Sequence, residues 1–157
     1  MKNPCRLLLA LLFLSVSHAL AKDGAPRGFV PLGELKEAQA KAEKDKKLVV
    51  LVVKGDDDQC PNCAAALENG LKAVGSGVVK VFARVDAIGQ ADASAFTPAL
   101  QARVRQHFTG GAWVTFVVFN PEMTEIVAEA SRKELQDDKK AIAAFKKEVQ
   151  AAKKALK

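Results

Sequence analysis

Leu48-Val49-Val50-Leu51-Val52-Val53-Lys54-Gly55, followed by Asp56-Asp57-Asp58-Gln59 and then Cys60-Pro61-Asn62-Cys63, is the stretch whose reading decides the fold. Leu48 to Val53 is continuously apolar and rich in β-branched valine, as a strand buried on both faces requires. Gly55 and the acidic run break the strand and lead to the two cysteines. Pro61 suits the first turn of a helix, where its missing N–H costs nothing. The helix is expected from about Pro61 to Val74, with Leu67, Leu71 and Val74 as its buried stripe and Gly75-Ser76-Gly77 as its stop. A strand, a short loop, Cys-x-x-Cys and a helix together put Cys60 beside unpaired N–H groups and the positive end of a dipole. Both favour a thiolate, the reactive form of the residue.

Upstream of the strand, Leu35, Ala38 and Ala42 recur at helical spacing among Glu and Lys, and Lys46-Lys47 ends that helix. Downstream, Val78 to Val85 reads as a second strand. Thr97-Pro98 reads as an N-cap with proline at the first helical position, opening a helix with Leu100, Val104 and Phe108 on one face. Gly110-Gly111 stops it. Trp113 to Phe119 is a third strand, Asn120-Pro121-Glu122 a turn, and Thr124 to Ala130 a fourth strand paired back on the third. Ser131 and Glu134 form a capping box for a last helix directing Leu135, Ile142, Phe145, Val149 and Leu156 inward. The order αβαβαββα predicts an α/β fold, a three-layer α/β/α sandwich around a four-stranded mixed sheet. No linker divides it, so residues 32–157 are expected to form one domain, with 22–31 a flexible lead-in.

The first 21 residues have the form of a cleaved secretory signal: Lys2 and Arg6, an apolar run from Leu7 to Val16, then Ala19 and Ala21 before the cut. The run is short for a membrane span, and no later segment approaches one. Cys5 precedes the apolar run and so is not a lipid-bearing cysteine. Of 157 residues, removing 21 leaves 136, and the formal charge of +6 falls to +4 as Lys2 and Arg6 leave. A secreted or periplasmic location follows as an expectation. Cys5 and His18 leave too, so the mature chain keeps Cys60, Cys63 and His107.

In an oxidising compartment a Cys60–Cys63 disulfide can persist. Three uses are open: thiol–disulfide chemistry, an inert staple, or binding of Zn²⁺ or Cu⁺ by the two thiolates. A bridge closing so small a loop constrains the unfolded chain little, which argues against the staple. A metal site would need Asp56 to Asp58 or His107 to complete it. His107, at the end of its helix, reads more readily as a solvent-facing or capping residue.

On these motifs the chain resembles the thioredoxin-fold family, from about Leu32 to Leu156. The Ala- and Lys-rich first helix and the leader make it similar to thioredoxin-like proteins of bacterial envelopes. The resemblance implies an enzyme, a thiol–disulfide oxidoreductase, with Cys60 as the attacking thiol and Cys63 as the resolving one. It implies protein thiol or disulfide substrates, a separate redox partner, no cofactor and a monomer. Two positions depart from the family. Val114 stands where a cis-proline usually precedes the third strand, and a cis bond before a non-proline residue costs about 2.5–4 kcal/mol. Lys54 stands where thioredoxins often carry a buried carboxylate. It either favours the Cys60 thiolate or ends its strand and reaches to water. Pro61-Asn62 replaces the usual Gly-Pro pair.

The remaining features carry less. Trp113 either lines a substrate groove or packs in the core. The lysine-rich last helix reads as a solvated face, and nucleic-acid binding is not expected. Asp56 to Asp58 oppose the effect of Lys54 and the dipole on a thiolate, which leaves the direction of electron flow open.

Overall fold

The computed structural model describes residues 25–55, 60–107 and 114–157, without the side chains of 105–107. The leader, Asp56 to Asp58, Phe108, Gly110-Gly111, Trp113 and the His107 side chain, each given a role above, lie outside the described residues. The elements are β1 (Val30–Pro31), α1 (Leu35–Asp45), β2 (Val49–Lys54), α2 (Pro61–Val74), β3 (Val79–Arg84) and α3 (Val85–Gln90). They continue with α4 (Pro98–His107), β4 (Val114–Phe119), β5 (Ile126–Ser131), α5 (Arg132–Leu135) and α6 (Lys139–Ala155). Short 3-10 turns at Leu32–Glu34 and Ala93–Ala95 precede α1 and α4.

The sheet order is β1-β3-β2-β4-β5. β2 lies at its centre, parallel to β3 and antiparallel to β4, and Val49 to Val53 are fully buried. The unbroken apolar run is therefore read by a core on each side. Val49, Leu51 and Val53 meet α1, α3 and α4, with Leu35, Ala38, Ile88 and Leu100. Leu48, Val50 and Val52 meet α2, α5 and α6, with Cys63, Ala66, Leu135, Phe145 and Val149. The result is the expected three-layer α/β sandwich with a mixed sheet, an arrangement compatible with a thioredoxin-like fold.

The sheet has five strands among the described residues, where the sequence reading gave four. The added strand is Val30–Pro31, paired in parallel with Val81 and Phe82 at the edge. Two residues carry no periodicity, and proline is tolerated on a strand edge, so nothing in the local sequence marked it. Phe29 beside it stacks edge-on with Phe82, at 5.9 Å between centroids.

Three further features differ, two of them boundaries. β3 stops at Arg84 and Val85 opens the short α3, because Ile88 and half-buried Val85 pack onto the same core. The capping box, with the Ser131 N–H and hydroxyl both donating to Glu134 Oε2 at 2.8 Å, caps only the one-turn α5. The last helix starts afresh at Asp138, whose carboxylate accepts from Lys140 N and Ala141 N at 2.9 and 3.0 Å.

The third difference bears on the site. α2 buries Cys63, Ala66, Gly70, Ala73 and Val74, while Leu67 and Leu71 stay half-buried at the flank. Its small residues, not its leucines, face the sheet. A methyl on Gly70 would stand under 3.0 Å from three atoms of the Phe116 ring. Gly70 therefore admits the ring, and the ring sets how closely α2 approaches β4.

The connections are held as their residues suggest. Thr97 donates its hydroxyl to Met123 O at 2.7 Å and tethers the start of α4 to the β4–β5 turn. Asn120 Oδ1 accepts from Thr124 N and Glu125 N at 2.9 and 3.0 Å, which closes that turn. Arg103 of α4 pairs with Glu129 of β5.

Candidate functional site

Cys60 is the N-cap of α2, with extended φ and ψ of −74° and 106°. Its carbonyl accepts from Cys63 N and Ala64 N, both at 3.1 Å, and its Sγ accepts from Cys63 N at 3.2 Å. The sulfur thus takes the place that a Ser or Asp oxygen holds in an ordinary cap. An amide N–H and the positive end of a 14-residue helix both point at it, and both favour negative charge there.

The two cysteines differ in access. Cys60 is half-buried, whereas Cys63, one turn further on, is 2% exposed and belongs to the core around Phe116 and Val114. Their sulfurs lie at disulfide distance, with the Cα atoms 5.2 Å apart. Pro61 and Asn62 are exposed between them. Cys60 is the more accessible residue of the two, so an approaching disulfide reaches it first.

Val114 is fully buried in the cluster that holds Cys63, and Cys60 packs against that cluster. Val114 opens β4 in register with Lys54, the last residue of β2. Strand alternation places Lys54 on the same face as Val50 and Val52, the face that α2 covers. Lys54 is half-buried and has an interaction partner. It is also in register with Arg84, which alternates with Phe82 onto this face. Arg84 Nε lies 3.7 Å from Asp86 Oδ1.

The structure thus brings Cys60, Cys63, Pro61, Asn62 and Val114 together, and it puts Lys54 on their face of the sheet. Trp113 lies outside the described residues, as does one side of the peptide bond entering Val114. The sequence does not single out Arg84, which strand register sets beside Lys54. Nor does it single out Lys153 of α6, whose Nζ donates to Val74 O and Ser76 O at 2.6 Å each. That contact satisfies carbonyls at the far end of α2 and anchors the helix that presents Cys60. Burial pushes the Lys153 ammonium below its ordinary pKa.

Among the described residues no group of three Cys, His, Asp or Glu side chains is placed to hold a metal ion. Among them, too, no helix is long and apolar enough to cross a membrane. No protein-family model matches the sequence, and no curated protein matches it. Function must therefore be argued from the cysteine pair itself.

Proposed function

We propose that the chain is an exported thioredoxin-type oxidoreductase that exchanges disulfides with other proteins through Cys60 and Cys63. The observation that supports this most is the asymmetry of the pair: a half-buried Cys60 at a helix N-cap, its sulfur accepting an N–H, at disulfide distance from a buried Cys63. A structural bridge needs no such difference between its two halves.

In the reducing direction the Cys60 thiolate attacks one sulfur of a partner disulfide. A Cys60–partner bond forms, the partner's S–S bond breaks, and its other sulfur leaves as a thiolate that takes a proton from water. Cys63 then gives up its proton and attacks the Cys60 sulfur. The intramolecular disulfide forms and the second partner sulfur departs. Two electrons pass from the pair to the partner, whose two sulfurs take one proton from water and the one that Cys63 gave up; the reverse sequence oxidises a dithiol. The nearby N–H and helix dipole aid the step in which Cys60 carries charge, as attacking thiolate or as leaving group.

Turnover of a protein disulfide by the wild type and two variants tests this. Cys60→Ser abolishes turnover, while Cys63→Ser accumulates a mixed disulfide that a thiol reductant releases. Wild-type rates in both variants would remove the proposal. The leader is tested separately, by N-terminal sequencing of protein recovered from a secreting host: cleavage after Ala21 supports export, and an intact Met1 opposes it.

A further inference from the structure

Helix α6 carries Lys139-Lys140, Lys146-Lys147 and Lys153-Lys154, three lysine pairs seven residues apart, with Lys157 just beyond. Seven residues are just under two turns, so the pairs stack along one side with a drift of roughly 20° per step. Phe145 and Val149 are buried against the sheet, flanked by half-buried Ile142, Ala152 and Leu156. The lysines accordingly cover the outer face and one flank, and all but half-buried Lys153 are exposed. From Lys139 to Lys154 the strip is about 22 Å long at 1.5 Å per residue.

The distribution of charge sets this helix apart. Residues 139–157 hold seven lysines and one acid, Glu148, a formal charge of +6. Taking these from the chain's 24 basic and 18 acidic residues leaves 17 of each, so the last 19 residues carry the whole net charge. A solvated helix face ordinarily mixes signs at i,i+4 spacing. α1 does so: Lys36, Lys41 and Lys44 alternate with Glu37 and Glu43. On α6 the positions four residues from Lys146 and Lys147 are Ile142, Gln150, Ala143 and Ala151. Lys47 and Lys72 pair with Asp45 and Glu68 at 2.8 and 2.6 Å. Among the described residues, no carboxylate lies within ion-pair distance of the six exposed lysines of the strip.

We propose that this strip docks the protein on the surface of an anionic phospholipid bilayer. Four to eight clustered lysines on one helix match the requirement for adsorption to anionic headgroups. The strip is straight, outward-facing and built from lysine alone. Lysine offers phosphate a point charge, without the planar fork that reads base edges, and no aromatic side chain is present there for base stacking. The apolar side of α6 is committed to the core. The helix therefore lies on the headgroups without entering the bilayer, and attachment is electrostatic and reversible by salt. This inference does not depend on the chemistry of the cysteine pair.

Co-sedimentation of the full chain with vesicles tests it. One set contains about 30% phosphatidylglycerol in phosphatidylcholine and the other phosphatidylcholine alone, each at about 50 and about 500 mM salt. The protein partitions preferentially to the anionic vesicles, and the preference disappears at high salt. At roughly fivefold per lysine, K140Q/K147Q/K154Q lowers partitioning to anionic vesicles about 100-fold. Lys153 is left intact because it bonds to Val74 and Ser76. K36Q/K41Q/K44Q on α1 partitions like the wild type. Binding by the leader would persist on neutral vesicles and at high salt, and would be the same in both variants. Equal partitioning of wild type and K140Q/K147Q/K154Q overturns the proposal. So does α6-dependent binding of single-stranded DNA by a protein that ignores anionic vesicles.

Discussion

Gly70→Ala puts a methyl where the Phe116 ring now lies, under 3.0 Å from three of its atoms. Within a helix, exchanging Gly for Ala ordinarily stabilises by about 0.8–1 kcal/mol. Here the methyl must displace a fully buried ring or push α2 off β4, and overpacking of this kind costs about 1–3 kcal/mol. Phe116 also packs edge-on against Phe145 of α6, at 6.2 Å between centroids, so the ring has little room to yield. Three contacts this short put the cost near the upper end, about 2–3 kcal/mol, so overpacking should win and leave the variant about 1–2 kcal/mol less stable. For a domain of this size that is a fall in Tm of roughly 3–10 °C. Thermal unfolding followed by circular dichroism, on reduced and oxidised samples, measures it. Phe116→Leu in the same chain should recover most of the loss relative to Phe116→Leu alone, because the space it opens accepts the methyl. The displacement also reaches the site, since α2 carries both cysteines. A Gly70→Ala protein as stable as the wild type, or more so, would refute the argument that the ring sets the approach of α2.

Further outcomes are expected elsewhere. Lys46 holds φ +50° at the C-cap of α1 and is exposed, so Lys46→Gly should raise stability by up to about 1 kcal/mol in a urea titration. Ser131→Ala removes the hydroxyl that donates to Glu134 and should cost about 1 kcal/mol by the same titration. Lys153 is lowered by burial, so the folded state releases its proton before the unfolded chain does, and the unfolded chain binds more protons in between. Stability relative to Lys153→Met should therefore rise with pH from the depressed folded value up to the ordinary lysine value of 10.5, and urea midpoints of the two proteins across that window report the slope.

Much of the fold was legible because several local signals agreed. The β2 run, Thr97-Pro98 and the turn at Asn120 each carry a local physical reason, and each formed the element it indicated. The face of α2 is less legible: side-chain size marks Leu67, Leu71 and Val74 for burial, yet only Val74 of the three is fully buried. Leu67 and Leu71 are large, but the sheet opposite offers Phe116, so beside that ring the buried positions are the small Ala66, Gly70 and Ala73, with Cys63 and Val74 at the two ends. That complementarity joins residues 46 positions apart, and no local pattern encodes it. β1 and α3 are too short to show a period, and they form because Phe82 and the core around Ile88 receive them. At the site the cysteine pair was legible from its spacing and context. Arg84 was not, because its nearness to Lys54 arises from strand register, and register is set between segments.

The central claim, that Cys60 and Cys63 form a working redox couple, is tested most directly by counting free thiols across glutathione and dithiothreitol redox buffers. One reversible two-electron transition is expected between roughly −120 and −270 mV, absent in Cys60→Ser. A bridge that resists reduction below about −300 mV would contradict it and make the disulfide structural.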